Sequence, residues 1–126
     1  MSMILAIAAG GAIGSVGRYL TVVGVIYWLG QGFPYGTLIV NVVGSFALGT
    51  LIETVAIIWT PSDDLRAFFV VGVLGSYTTF STFSLDTMSL IDQGEFLFAG
   101  LYIIASVVLS ITALFCGMAI CRHLLV

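Results

Sequence analysis

Four long apolar segments fill almost the whole chain. They cover about residues 4–29, 35–59, 66–91 and 96–122 of the 126 residues, and 60% of the residues are hydrophobic while only 7% are charged. A helix that crosses a lipid bilayer needs ~20 mainly apolar residues, so each segment is long enough to span a membrane. The sequence therefore predicts an all-α integral membrane protein, with four transmembrane helices in a single domain over residues 1–126.

The same composition excludes several classes of protein. With three Lys and Arg residues in total, the chain has no basic surface that would bind a nucleic acid. It also contains no cluster of metal-ligating side chains, no paired nucleophile and base, and no glycine loop of the kind that binds nucleotide phosphates. We therefore expect neither an enzyme nor a nucleotide-binding protein.

The few charged residues give little information on orientation. Four spans place both termini and the loop at residues 60–64 on one side, where Arg66 and Arg122 lie, and the other two loops contain no basic residue. An excess of basic residues favours this side as the cytoplasmic one. Because two arginines carry the whole bias, insertion in both orientations is a reasonable hypothesis.

The third segment contains a polar stretch that a lipid-facing helix would not carry. Residues 75–84 read Gly-Ser-Tyr-Thr-Thr-Phe-Ser-Thr-Phe-Ser, and six of the nine residues from Ser76 onward are Ser or Thr. Polar groups at membrane depth must be satisfied by other protein groups or by a water-filled path. Gly72 and Gly75 favour a break in the helix, which would expose carbonyl groups from one half and amide groups from the other. We predict a third helix that faces the interior and is broken near the middle of the membrane.

Polar side chains also recur at helical spacing in the second and fourth segments. Two stripes of this kind occur, Thr37, Asn41 and Ser45 in one and Tyr102, Ser106 and Ser110 in the other. Residues four apart share one face of a helix. Asn41 lies near the centre of its span, where its amide must bond another helix or line a cavity. Packing between helices explains each residue singly, whereas the aligned stripes indicate a polar path.

Arg18 is the only basic residue well inside an apolar segment. Two interpretations remain open. Its long side chain can extend to the far interface and keep its charge in water. Alternatively, it supplies a fixed positive charge at the mouth of an anion path, where it would raise the local anion concentration.

The polar side chains of these stripes offer hydrogen-bond donors and no carboxylates. A cation path would use rings of carboxylates or stacked carbonyl groups, whereas an anion replaces its hydration shell with donors and positive dipole ends. Phe80 and Phe83 lie three residues apart on one face, and the edges of their rings are positive, although packing also explains this spacing. A path of this composition suits a small monovalent anion.

Three motifs closely resemble those of the Fluc (CrcB) family of small fluoride channels, namely Gly36-Thr37-Leu38-Ile39-Val40-Asn41, Gly72-x-x-Gly75 and Thr79-Phe80-Ser81-Thr82-Phe83-Ser84. The resemblance extends over the whole chain and includes Gly10-Gly11, Arg18 and the stripe at residues 102–110. It implies a fluoride-selective channel of the prokaryotic inner membrane, a multi-pass protein that exports fluoride passively and so relieves fluoride toxicity.

The resemblance also implies an assembly and a site. Members of this family are homodimers of two antiparallel chains with two pores, and backbone carbonyls that fall on Gly75 and Thr78 here would hold a structural Na⁺ at the dimer centre. Phe80 and Phe83 would be the pore phenylalanines, and Arg18 would face the aqueous entrance. The other residues that the resemblance places on or near the fluoride path are Thr37, Asn41, Ser81, Thr82, Tyr102, Ser106 and Ser110.

The sequence is also compatible with two other functions. A small multidrug antiporter also has four helices and inserts in both orientations, but it needs a carboxylate within the membrane, and the first segment contains no acidic residue. A non-transporting membrane assembly subunit would use the polar stripes only to join helices.

Overall fold

Four helical spans make up the protein. The computed structural model describes residues 2–126, and within them it contains helices and loops but no strand. The spans are α1 (Ser2–Leu29), α2 (Tyr35–Ile57), a third span (Asp63–Asp92) and α5 (Phe96–Leu125). Each is long and apolar enough to cross a membrane. The prediction of an all-α protein with four transmembrane helices is confirmed, and the chain is a multi-pass membrane protein.

The third span consists of two helices separated by two extended residues. The first helix, α3, covers residues 63–77 and includes a π-helical part over Phe68–Leu74, and the second, α4, covers Phe80–Asp92. Between them, Thr78 and Thr79 have φ/ψ values of −84°/158° and −153°/123°. The Thr79 hydroxyl accepts a hydrogen bond from the Thr82 N–H at 3.2 Å and so caps the start of α4. The predicted break is confirmed, and it lies at the middle of the span.

Glycines allow α1 and α3 to approach until their backbones touch. A Cβ atom at Gly10 would overlap the Phe68 carbonyl oxygen and lie 3.0 Å from the Gly72 Cα. A Cβ atom at Gly14 would overlap the Val73 carbonyl oxygen. Small residues are therefore required where these two helices cross. The contact holds the first half of the broken span against α1.

The second helix packs along α5, and an ion pair joins them at the end where both termini lie. Arg122 donates from Nε to the Glu53 Oε1 at 2.8 Å and from Nη2 to Oε2 at 3.3 Å. The Glu53 side chain is buried, whereas Arg122 is exposed. A two-point hydrogen bond of this kind satisfies a carboxylate that would otherwise be buried without a partner. It fixes α2 and α5 in register next to the broken span.

Candidate functional site

The break between α3 and α4 is held by the side chain of Asn41 on α2. The Asn41 Nδ2 donates to the Thr79 carbonyl oxygen at 3.0 Å, and the Thr79 N–H donates to the Asn41 Oδ1 at 2.8 Å. The side-chain amide thus pairs with both backbone groups of Thr79, as a neighbouring strand would. Leaving a buried backbone group unpaired costs ~1–3 kcal/mol. Asn41 therefore stabilises the extended residue Thr79 at membrane depth. The Thr79 backbone in turn is the hydrogen-bond partner that an amide at the centre of a span needs.

The break also removes the usual partners of two carbonyl groups. In a continuous helix the Gly75 carbonyl would accept from the Thr79 N–H, and the Thr78 carbonyl from the Thr82 N–H. These two N–H groups donate instead to the Asn41 Oδ1 and the Thr79 Oγ1. The carbonyls that the family resemblance assigns to a cation are therefore among those at the end of α3 that lose their helical bonds.

Gly44, one turn after Asn41, allows the break to lie against α2. A Cβ atom at Gly44 would overlap the Thr78 Cγ2 and lie 3.3 Å from the Tyr77 Cδ2. A larger residue would push the break away from α2 and separate Asn41 from Thr79. Sequence reasoning did not identify this role, and the signal was a glycine three residues after the central amide on the same helix.

A cavity of about 380 Å³ lies beside the break. The helices α2, α3, α4 and α5 all contribute to its wall, and no lining residue is charged. The predicted site residues that line it are Asn41, Gly75, Thr78, Phe80, Phe83, Ser106 and Ser110. The structure thus brings residues of both polar stripes and of the polar stretch at residues 75–84 to one cavity.

Two hydroxyl groups in the wall of this cavity have no hydrogen-bond partner. The Ser106 Oγ and Ser110 Oγ are buried and unpaired within residues 2–126. Other hydroxyls on the spans bond the carbonyl one turn earlier, as do those of Thr21, Thr50, Thr54, Thr78, Ser84 and Thr87. Because a buried polar group without a partner is costly, these two hydroxyls are available for something that enters the cavity.

The two phenylalanines of the motif differ in their exposure. Their ring centroids are 5.3 Å apart. Phe83 is 9% exposed and its ring centroid lies 5.1 Å from that of Tyr102, whereas Phe80 is 76% exposed at the rim of the cavity. The sequence predicted that both rings lie on one face. It did not indicate that a single chain covers only one of them.

A second cavity, of about 250 Å³, lies between the loop at residues 30–34 and α4. Thr37 and Thr82 line it together with Asp86. The hydroxyl of Tyr102 donates to the Asp86 Oδ2 at 3.1 Å, and the Tyr102 side chain is fully buried. Tyr102 lines neither cavity and lies between a residue of each, with its ring on Phe83 and its hydroxyl on Asp86.

Asp86 was not among the predicted site residues. It follows Thr82 by four residues on α4, so the two side chains share a face, and this spacing was the signal available in the sequence. Its carboxylate places a charged residue in the wall of the second cavity, whereas the first cavity has none.

Ser81 and Arg18, two further predicted residues, also line neither cavity. Ser81 is exposed, and its hydroxyl lies 3.2 Å from the Thr79 Oγ1. Arg18 is half-buried on α1 and lines neither of the two cavities. Within a single chain Arg18 is not brought to the polar path, and its position at an entrance stays a prediction.

Comparison with known proteins gives a family and several close relatives. The family model described as CrcB-like protein, Camphor Resistance (CrcB), matches residues 5–118. A protein of Rhodospirillum centenum named fluoride-specific ion channel FluC is 52% identical over 122 residues, which cover 97% of each chain. Proteins of the same name from Nitrobacter winogradskyi and Agrobacterium fabrum are 53% and 51% identical over 121 and 124 residues, and cover 96% and 98% of this chain and 96% and 99% of the relatives.

Proposed function

Because this chain belongs to the CrcB family, we propose that it is a channel that conducts fluoride selectively across the membrane. The observation that carries the proposal is the pair of buried, unpartnered hydroxyls of Ser106 and Ser110 in an uncharged cavity. A small anion replaces its hydration shell with donors such as these hydroxyls, and the cavity has no carboxylate of the kind that a cation path would use. Fluoride accepts short, strong hydrogen bonds and gains more from such donors than a larger halide does.

The two cavities define the proposed path. Fluoride would contact the Ser106 and Ser110 hydroxyls and the positive ring edges of Phe80 and Phe83. It would then pass Tyr102 toward Thr37 and Thr82 in the second cavity. Ser81 lies next to this route, and Arg18 would face the aqueous entrance.

Transport along this path requires no chemical conversion. Fluoride would move passively down its electrochemical gradient, so the protein would act as a channel and not as an enzyme. Fluoride enters cells as the neutral weak acid HF and dissociates at cytoplasmic pH. A channel in the inner membrane would therefore export the trapped anion and relieve its toxicity.

The functional unit of this proposal is a homodimer of antiparallel chains with two pores. Phe80 is 76% exposed although it lines the cavity, and Gly75 and Thr78 line the same cavity. A second copy packed on this face would cover Phe80 and complete the wall. The weak charge bias between the two sides of the membrane is compatible with opposite orientations of the two chains.

The carbonyls of Gly75 and Thr78 fit a structural Na⁺ at the centre of such a dimer. Carbonyl oxygens are suitable ligands for a hard cation, and both groups lose the N–H partners that a continuous helix would provide. Within residues 2–126 no group of three or more His, Cys, Asp and Glu side chains could hold a metal ion. The ion would supply positive charge at the contact between the two broken helices.

A fluoride-efflux experiment tests this function. Purified protein in liposomes loaded with potassium fluoride is expected to release fluoride when valinomycin allows potassium to leave, and vesicles loaded with potassium chloride are expected to retain chloride. Release that requires an imposed proton gradient would indicate an antiporter. No release of either anion would leave the protein as an assembly subunit.

The double variant Ser106→Ala/Ser110→Ala separates transport from folding. We expect fluoride efflux to fall by roughly ten- to a hundredfold, because a hydrogen bond to a charged group contributes ~1.5–3 kcal/mol. We expect thermal stability in detergent to be unchanged or higher, since neither hydroxyl has a partner to lose.

The matched control for this variant is Thr87→Val, which removes a hydroxyl that only bonds the Phe83 carbonyl of its own helix. Its efflux is expected to equal that of the wild type. Wild-type efflux from the double serine variant would show that neither hydroxyl contributes to the fluoride path.

A further inference from the structure

The side chain of Tyr77 connects the end of α3 to two other helices. Tyr77 is the last residue of α3, immediately before the extended residues of the break. A Cβ atom at Gly17 of α1 would lie 3.7 Å from the Tyr77 ring, and a Cβ atom at Gly44 of α2 would lie 3.3 Å from it. The ring therefore occupies a space that glycines leave between α1 and α2.

The hydroxyl of Tyr77 has a defined partner and direction. It lies 3.1 Å from the Thr21 Oγ1 on α1, and the Thr21 hydroxyl lies 2.9 Å from the Gly17 carbonyl oxygen. A threonine hydroxyl has a single hydrogen, which it donates to this carbonyl. Tyr77 must therefore be the donor to Thr21. The result is a chain of two hydrogen bonds that runs from the end of α3 to the backbone of α1.

This connection constrains the part of α3 that precedes the break. The Thr78 N–H still bonds the Leu74 carbonyl at 3.1 Å, so the last turn of α3 is helical up to Thr78. Rotation of this turn about its axis would turn the Gly75 carbonyl and would displace the extended Thr78 that follows it, together with the Thr78 carbonyl. A tyrosine that reaches sideways to α1 opposes such rotation, and an apolar residue of similar size would not, because it has no donor.

We propose that Tyr77, through its hydrogen bond to Thr21, is a positioning residue that fixes the direction of the Gly75 and Thr78 carbonyls at the break. Neither hydroxyl would contact fluoride or the cation. The consequence for Na⁺ binding rests on the cation site of the proposed function, whereas the consequence for the rigidity of the break does not.

A double-mutant cycle with two measurements tests this inference on the full-length protein. The variants are Tyr77→Phe, Thr21→Val and their combination. The control is Tyr19→Phe, because Tyr19 is 67% exposed and is not part of this bond. The first measurement is hydrogen–deuterium exchange of the amides of residues 78–83 in detergent. The second is the Na⁺ concentration that restores half of the fluoride efflux after dialysis against N-methylglucamine.

Both single variants are expected to accelerate exchange at residues 78–83 and to raise the half-restoring Na⁺ concentration by roughly fivefold, the effect of losing the bond between Tyr77 and Thr21. The second bond that Thr21→Val removes, from Thr21 to the Gly17 carbonyl, lies within α1 and is not expected to affect the break. The combined variant is expected to show the effect of one single variant and not the product of two, because both changes remove the same bond. The Tyr19→Phe control is expected to behave as the wild type.

Unchanged exchange at residues 78–83 in Tyr77→Phe would overturn the inference. So would a Na⁺ requirement of Tyr77→Phe equal to that of the wild type, where the wild type needs Na⁺, or multiplicative effects of the two substitutions in the combined variant. If Tyr77→Phe does not fold, Thr21→Val provides the same comparison from the other side of the bond. If the wild type shows no fluoride efflux, the proposed function fails, and if its efflux does not depend on Na⁺, the proposed cation site fails. In either case the exchange measurement alone decides whether the bond between Tyr77 and Thr21 holds the break.

Discussion

Fluoride efflux is expected to be abolished by the substitution Asn41→Asp. In the native protein the Asn41 Nδ2 donates to the Thr79 carbonyl oxygen at 3.0 Å, and the Oδ1 accepts from the Thr79 N–H at 2.8 Å. A carboxylate only accepts hydrogen bonds, so its second oxygen would face the Thr79 carbonyl and repel it. The substitution also places a negative charge at membrane depth, in the wall of a cavity that has no charged residue.

Two further variants separate these causes. Asn41→Ala removes both hydrogen bonds without adding charge, and it is expected to lower thermal stability because the Thr79 backbone groups lose their partner. Thr87→Val, which affects a hydroxyl bonded to its own helix, is expected to change neither efflux nor stability. Wild-type efflux from vesicles that contain Asn41→Asp would remove Asn41 from the path. Wild-type stability of Asn41→Ala would mean that the break does not depend on this amide.

The second large effect is expected for Phe80→Ile and Phe83→Ile. Isoleucine keeps much of the apolar volume but has no aromatic ring, so the positive ring edge that faces an anion is lost. We expect each variant to reduce fluoride efflux by roughly tenfold or more. The elution volume in gel filtration is expected to match that of the wild type, since the apolar volume that packs is largely kept.

The matched control for the ring substitutions is Phe115→Ile on α5. The Phe115 side chain is 69% exposed and does not line either cavity. Its replacement is expected to leave efflux unchanged. Undiminished efflux from both Phe80→Ile and Phe83→Ile would mean that these rings only pack. Loss of efflux in Phe115→Ile as well would show that any aromatic substitution disturbs the protein.

The difference between Phe80 and Phe83 makes the pair informative about the dimer. Phe83 is 9% exposed and packs on Tyr102 within its own chain, whereas Phe80 is 76% exposed. In the proposed dimer the second chain would cover Phe80. Wild-type elution of Phe80→Ile is the expected result, and a shift confined to this variant would show that the aromatic ring itself, and not only its apolar volume, holds the two chains together.

The four spans were predictable because composition alone determines them. A bilayer requires about 20 apolar residues in each helix, and the segments of this chain meet that requirement wherever the rest of the fold lies. The break was also predictable, since Ser and Thr residues after Gly72 and Gly75 are unsuited to a lipid-facing helix. Its exact position at Thr78 and Thr79 depends on contacts with Asn41 and Gly44 on another helix, which no local pattern encodes.

In the site, too, the sequence indicated which residues need a partner but not which partner they have. The sequence indicated that Asn41 needs a partner, because an amide at the centre of a span is costly without one. That the partner is the backbone of Thr79 follows only from the packing of α2 against the break. The unpaired state of Ser106 and Ser110 was likewise not predictable, since serines in membrane helices commonly bond their own backbone. The bond between Thr21 and Tyr77 joins residues 56 positions apart and has no sequence signature.

The central claim is that the protein conducts fluoride selectively and passively, and the reversal potential of its current tests this claim most directly. Purified protein is placed in a planar bilayer with a tenfold fluoride gradient, equal chloride on both sides and equal pH. We expect a current that reverses at the fluoride equilibrium potential, about 59 mV from zero. A current that reverses near zero because chloride carries it, or a reversal potential that follows an imposed pH difference, would show that the protein is not a fluoride-selective channel.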